Sequence, residues 1–140
     1  MIHKNRLPDD VEERLKDLSS VLAGHGEIMF AYLCGSLARG ARTPLSDVDI
    51  GVYLTEGTDF LEAEVRLLPA ISRHLQTNEV DLVILNRAPI ALLGRLLSSR
   101  RVIFDRDPFL RHRFESRAIR EYLDFQKFEQ RLLARRYPRG

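Results

Sequence analysis

Asp47 and Asp49, two carboxylates one residue apart, follow the pair Gly35-Ser36 after an interval of ten residues. Val48, Ile50, Val52 and Leu54 alternate with Asp47, Asp49, Gly51 and Tyr53, the period of two expected of a strand that buries one face. The two aspartates therefore share the other face, where their mutual repulsion calls for a cation. Magnesium is the ion expected, because it takes oxygen ligands and is commonly held by one or two carboxylates together with substrate phosphates. Gly35-Ser36 supplies the phosphate half of such a site. Glycine lets a phosphate come close to the backbone, and N–H groups with a hydroxyl can cradle its oxygens. Arg39 and Arg42 lie within a few residues of the turn and carry guanidinium groups suited to phosphate oxygens. The stretch is not a Walker A loop. Gly35 and Gly40 have the glycine spacing, but Ala41-Arg42 stands where Lys-Ser/Thr is required.

The elements that must position these residues can be read on either side. Ile28 to Cys34 is an apolar run of strand length, so Gly35-Ser36 falls where a strand ends and the chain turns. Before it, Pro8-Asp9-Asp10 is a helix entry, and Val11, Leu15, Leu18 and Leu22 keep helical spacing until Gly24-His25-Gly26. After the aspartate strand, Gly57-Thr58 is a stop. Asp59 to Gln76 then carries Phe60, Ala63, Leu67, Ala70, Ile71 and Leu75 at helical spacing, with a kink expected at Pro69. Glu79 to Leu85 is strand-like, Ala88-Pro89 opens a helix bearing Ile90, Leu93 and Leu97, and Arg101 to Phe104 forms a short strand. From Pro108 to about Arg136 there is no helix breaker, and Phe109, Phe114, Ala118, Tyr122, Phe125, Phe128, Leu132 and Leu133 are expected to make a broad apolar stripe. So long a final helix is expected to extend past the core and dock a partner. The order of elements predicts one α/β domain over residues 1–140, with a mixed sheet flanked by helices.

Gly-Ser, ten residues, then Asp-x-Asp resembles the signature of the DNA polymerase β-like nucleotidyltransferases, matched here by Gly35, Ser36, Asp47 and Asp49. The short chain and the Gly-Ser-x-Ala-Arg-Gly form of the turn look like the minimal nucleotidyltransferases, the MntA-type antitoxins paired with HEPN-domain toxins. That resemblance implies a third acidic residue on a later strand, and Asp81 holds the matching position. It implies transfer of AMP from ATP to a protein hydroxyl, a tyrosine of a cognate HEPN toxin, with release of pyrophosphate. Gly35 and Ser36 would hold the terminal phosphates, Asp47 and Asp49 the nucleotide-bound magnesium, and Asp81 with them a second magnesium that activates the acceptor. The antitoxin and its toxin would then form a hetero-oligomer. Two other readings stay open: a module that neutralises its partner by contact with a vestigial site, and a transferase acting on a small molecule.

The rest of the chain bounds these readings. At 140 residues there is room for one core, and 44% hydrophobic with 30% charged residues is ordinary for a globular protein. No apolar run reaches the ~20 residues of a membrane span, and the N-terminal residues show no apolar signal core, so a cytoplasmic setting is expected. Cys34 cannot pair within the chain and reads as a buried, inert thiol. His3, His25, His74 and His112 are scattered without zinc-ligand spacing. Charge is uneven: residues 1–99 hold 10 Lys/Arg against 14 Asp/Glu, and residues 100–140 hold 12 against 6. That basic pole is either a solvated helix face or a surface for an acidic partner, and it carries no recognised nucleic-acid-reading motif.

Overall fold

The computed structural model describes residues 7–35, 37–38, 40 and 47–136. Helix α1 spans Val11–Ala23 and buries Val11, Leu15, Leu18 and Leu22, the four positions whose spacing foretells it. Strands β1 (Ile28–Cys34) and β2 (Val48–Leu54) follow, then α2 (Phe60–Leu75), β3 (Val80–Ile84), a 3-10 turn at Leu85–Arg87, α3 (Ile90–Ser98), β4 (Arg101–Asp105) and α4 (Pro108–Arg136). Asp59 caps α2 by accepting the Glu62 N–H at 3.1 Å, and the helix runs unbroken through Pro69.

The four strands lie in the order β3-β2-β1-β4, with β1 antiparallel to both its neighbours and β2 parallel to β3. The sheet is mixed, as the order of elements predicts. Helices α1 and α2 pack on one face, over Ala31, Leu33, Val48, Ile50, Val52 and Leu54. Helices α3 and α4 cover the other, over Phe30, Tyr32 and Cys34. Because β1 is buried on both faces it reads as a continuous apolar run, whereas β2 alternates. The 3-10 turn was not legible in the sequence. Its Asn86 carboxamide accepts the Leu54 N–H at 2.9 Å and donates to the Leu54 carbonyl at 2.8 Å, so a side chain continues the ladder where β3 stops.

Helix α4 occupies the predicted span, but its stripe needs one correction. Phe109 is 72% exposed, with the Arg113 guanidinium 5.8 Å from its ring centre, and Leu110 packs inward in its place. The reason is angular: Phe109 and Phe114 are five residues apart, about 140° around a helix of 3.6 residues per turn, so they cannot share the buried side. Phe114 and Ala118 face the core, and from Lys127 to Arg136 every residue is exposed. Among the described residues no helix is long and apolar enough to cross a membrane.

Candidate active site

Gly35, Asp49 and Asp81 meet because of strand register. Cys34, the last residue of β1, pairs with Asp49 of β2, and Asp49 pairs with Asp81 of β3. Paired residues on neighbouring strands lie about 4.8 Å apart and point to the same face, so the two carboxylates stand side by side where β1 ends in its turn. Asp81 is exposed, and among the described residues its side chain has no hydrogen bond or ion pair. Asp47 lies one residue before β2, half-buried, on the same side of the strand as Asp49.

Gly35 turns with φ 75°, a left-handed conformation that glycine adopts without strain. Its missing side chain matters twice, because a Cβ there would sit 2.6 Å from Asp49 Oδ2. The Asp49 carboxylate fills the space in front of the turn, and only a glycine leaves room for it. On the other side, the Gly35 N–H donates to Ser99 Oγ at 3.0 Å, tying the turn to the C-terminal end of α3.

Helix α3 thereby becomes a wall. Gly35, Asp49, Ile50, Asp81, Leu82, Val83, Leu92, Arg95, Leu96 and Ser99 enclose a pocket of about 520 Å³, open to solvent. Leu92 and Leu96 supply an apolar side, the two aspartates an acidic floor, and Arg95 a cation. Of the residues singled out from sequence, the pocket brings together Gly35, Asp49 and Asp81. Asp47 does not line it, and Ser36, Arg39 and Arg42 lie outside the described residues. Arg95 and Ser99 were missed because their role is tertiary. Their one sequence signal is that polar residues interrupt an apolar helix only at Arg95 and at its Ser98-Ser99 end.

The donor set suits an oxygen-loving cation. Among the described residues no three His, Cys, Asp or Glu side chains are grouped tightly enough to hold a metal alone. Asp49 and Asp81 offer two carboxylates beside a phosphate-sized opening, the pattern in which magnesium takes its remaining ligands from water and substrate. Cys34 is no rival centre. Burial, with the Asp49 carboxylate adding to it, pushes its thiol up to about 12, so it stays protonated, as the sequence led us to expect.

Behind the pocket, Glu115 of α4 is 5% exposed and binds three partners. Its carboxylate accepts from the Tyr32 hydroxyl at 2.8 Å, from Arg100 Nε at 2.8 Å and from Arg111 Nη1 at 3.1 Å. Burial works to raise its pKa, but the Tyr32 hydrogen bond and the two guanidinium groups prevail and hold it below the ordinary carboxylate value. Arg100 also donates to the Leu97 carbonyl at 2.7 Å, so the end of α3 is fixed to α4 as well as to the Gly35 turn.

A family model described as polymerase beta, nucleotidyltransferase, matches residues 16–109. No curated protein matches the chain in sequence. Among solved structures, a chain from the complex of tri-AMPylated Shewanella oneidensis HEPN toxin with MNT antitoxin aligns with a TM-score of 0.68 at 20% identity, over 88% of this chain and 95% of that one. A chain from a toxin-antitoxin structure with AMP-PNP gives 0.70 at 22% identity, over 86% and 94%. A third, described as a minimal nucleotidyltransferase, gives 0.54 at 28% identity, over 66% and 92%.

Proposed function

Since this chain belongs to the polymerase beta nucleotidyltransferase family, we propose that it transfers AMP from ATP to a hydroxyl of a partner protein, a HEPN-type toxin, and so acts as an antitoxin. The observation that carries this reading is the register-paired Asp49 and Asp81 beside the Gly35 turn, lining one pocket. Likeness in fold to chains of toxin-antitoxin complexes, one with an AMPylated toxin and one with AMP-PNP, supports the choice of acceptor and nucleotide.

In this reading the terminal phosphates sit against the Gly35 turn, where the missing side chain lets them approach, and bind the Ser36 N–H and hydroxyl, with Arg39 and Arg42 on the same anionic group. Asp47, Asp49 and Asp81 are the acidic residues of the site and would hold magnesium, two ions with substrate bound. Magnesium there supplies charge neutralisation on the phosphates and lowers the pKa of the attacking hydroxyl. The acceptor oxygen bonds to the α-phosphorus, the bond from that phosphorus to the bridging oxygen breaks, and pyrophosphate leaves. The acceptor's proton passes to a carboxylate, a role this reading gives to Asp81, which is open to solvent. A tyrosine, with a free pKa of about 10, needs less activation than an aliphatic hydroxyl. The exposed end of α4, with Phe128, Leu132 and Leu133 bare, is the docking element in this scheme.

The test is to incubate the chain with ATP, magnesium and a HEPN-type partner and weigh both proteins by intact mass spectrometry. AMP adducts on the partner are expected, and none with Asp49→Asn. If Asp49→Asn binds the partner and silences it as well as wild type does, with no adduct formed by either, contact alone is the mechanism.

A further inference from the structure

We infer that Arg95 is a ligand for the terminal phosphates of the nucleotide, reaching them from the α3 wall one helical turn before Ser99; the inference rests on the reading of this site as a nucleoside triphosphate site. Asp49 and Asp81 make the floor of the pocket acidic, and a triphosphate entering it meets repulsion that a cation must offset. Among the described residues that line the pocket, Arg95 is the one that carries a positive charge.

Its guanidinium is also unspent. Among the described residues Arg95 makes no ion pair and no side-chain hydrogen bond; its one non-helical contact is its carbonyl, which accepts the Ser98 hydroxyl at 2.7 Å. Six other arginines are committed to carboxylates: Arg14 to Asp10, Arg66 to Glu27 and Glu62, Arg87 to Glu64, Arg100 and Arg111 to Glu115, and Arg117 to Glu121. Arg95 faces a pocket with two carboxylates and pairs with neither.

Its position is set by the helix beneath it. Leu93, Gly94 and Leu97 bury the inner side of α3, and Ser99 fixes its end to Gly35. Arg95 lies four residues before Ser99, about 6 Å along the helix axis at 1.5 Å per residue. An extended guanidinium spans that interval, so the fork reaches the group that the Gly35 turn would hold. Planar, bidentate pairing with phosphate oxygens is what arginine does better than lysine. The chemical consequence is discrimination by phosphate number: a triphosphate reaches Arg95 and a monophosphate does not.

Calorimetric titration of the full-length chain with AMP-PNP and with AMP, in magnesium, tests this. Arg95→Met should weaken AMP-PNP roughly 10- to 100-fold, the loss of a charge-assisted contact, and change AMP by less than about twofold. Arg95→Lys should recover part of the loss, because the charge stays and the fork does not. Circular dichroism and thermal melting should match wild type, since the side chain holds nothing in the fold. Equal AMP-PNP affinity for wild type and Arg95→Met overturns the inference and leaves the nucleotidyltransferase reading intact, as does an equal loss for AMP and AMP-PNP. Failure of wild type to bind AMP-PNP at all overturns both.

Discussion

At the scale of single residues, Gly35 bears the tightest constraint in the site. Its φ of 75° costs a side-chain-bearing residue about 1–2 kcal/mol, and the Cβ of alanine would come within 2.6 Å of Asp49 Oδ2. Gly57 separates the two effects, because its φ is 83° but nothing lies within 4 Å of an added Cβ. Gly57→Ala should lower stability by roughly 1 kcal/mol and leave nucleotide affinity alone. Gly35→Ala should lower stability at least as much and also displace the Asp49 carboxylate, cutting AMP-PNP affinity. Thermal denaturation and calorimetry on both variants check the pair; equal nucleotide affinity in Gly35→Ala would mean that Asp49 does not need its present position.

Between elements, the close approach of α3 and α4 depends on Gly94. A Cβ there would lie 2.2–2.4 Å from the Tyr122 ring. In most helix interiors Gly→Ala stabilises by about 1 kcal/mol. Here the ring cannot stay where it is, and overpacking of this kind costs about 1–3 kcal/mol, so Gly94→Ala should destabilise on balance. Adding Tyr122→Ala should restore part of the stability, a coupling that urea titrations of the single and double variants would measure. Such contacts are where the sequence stops being readable. The alternation in β2 and the spacing of Val11, Leu15, Leu18 and Leu22 are local, and the structure follows them. That Asp49 and Asp81 would be register partners, that Ser99 would hold the Gly35 N–H, and that Asn86 would prolong the sheet are matters of which strand or helix lies beside which. No local pattern encodes that. Phe109 leaves the stripe for a different reason, since it stands about 140° around the helix from Phe114.

At the scale of the molecule, the Glu115 cluster joins β1, α4 and the link between α3 and β4 through Tyr32, Arg100 and Arg111. Removing the buried carboxylate leaves two guanidinium groups poorly matched, so Glu115→Gln should cost about 3 kcal/mol at neutral pH. The pH dependence has a fixed sign. Glu115 titrates lower in the folded chain than the ordinary 4.5, so its contribution is complete above that value and is lost as pH falls through the folded pKa. The gap between wild type and Glu115→Gln should therefore narrow in acid. Denaturant titrations at about pH 7 and about pH 3.5 check this, and a gap unchanged with pH would remove the charge of Glu115 from the account.

The last turns of α4 have a further consequence. Phe128 is 63% exposed, Leu132 49% and Leu133 51%, on a helix end that no other element among the described residues covers. A helix without tertiary contacts frays readily, and a frayed apolar segment is a substrate for proteases and a seed for self-association. Covering that end removes both hazards. In the docking scheme proposed above, limited proteolysis should therefore clip the last turns of α4 in the free chain and spare them in the complex, and equal clipping in both would place the docking surface elsewhere.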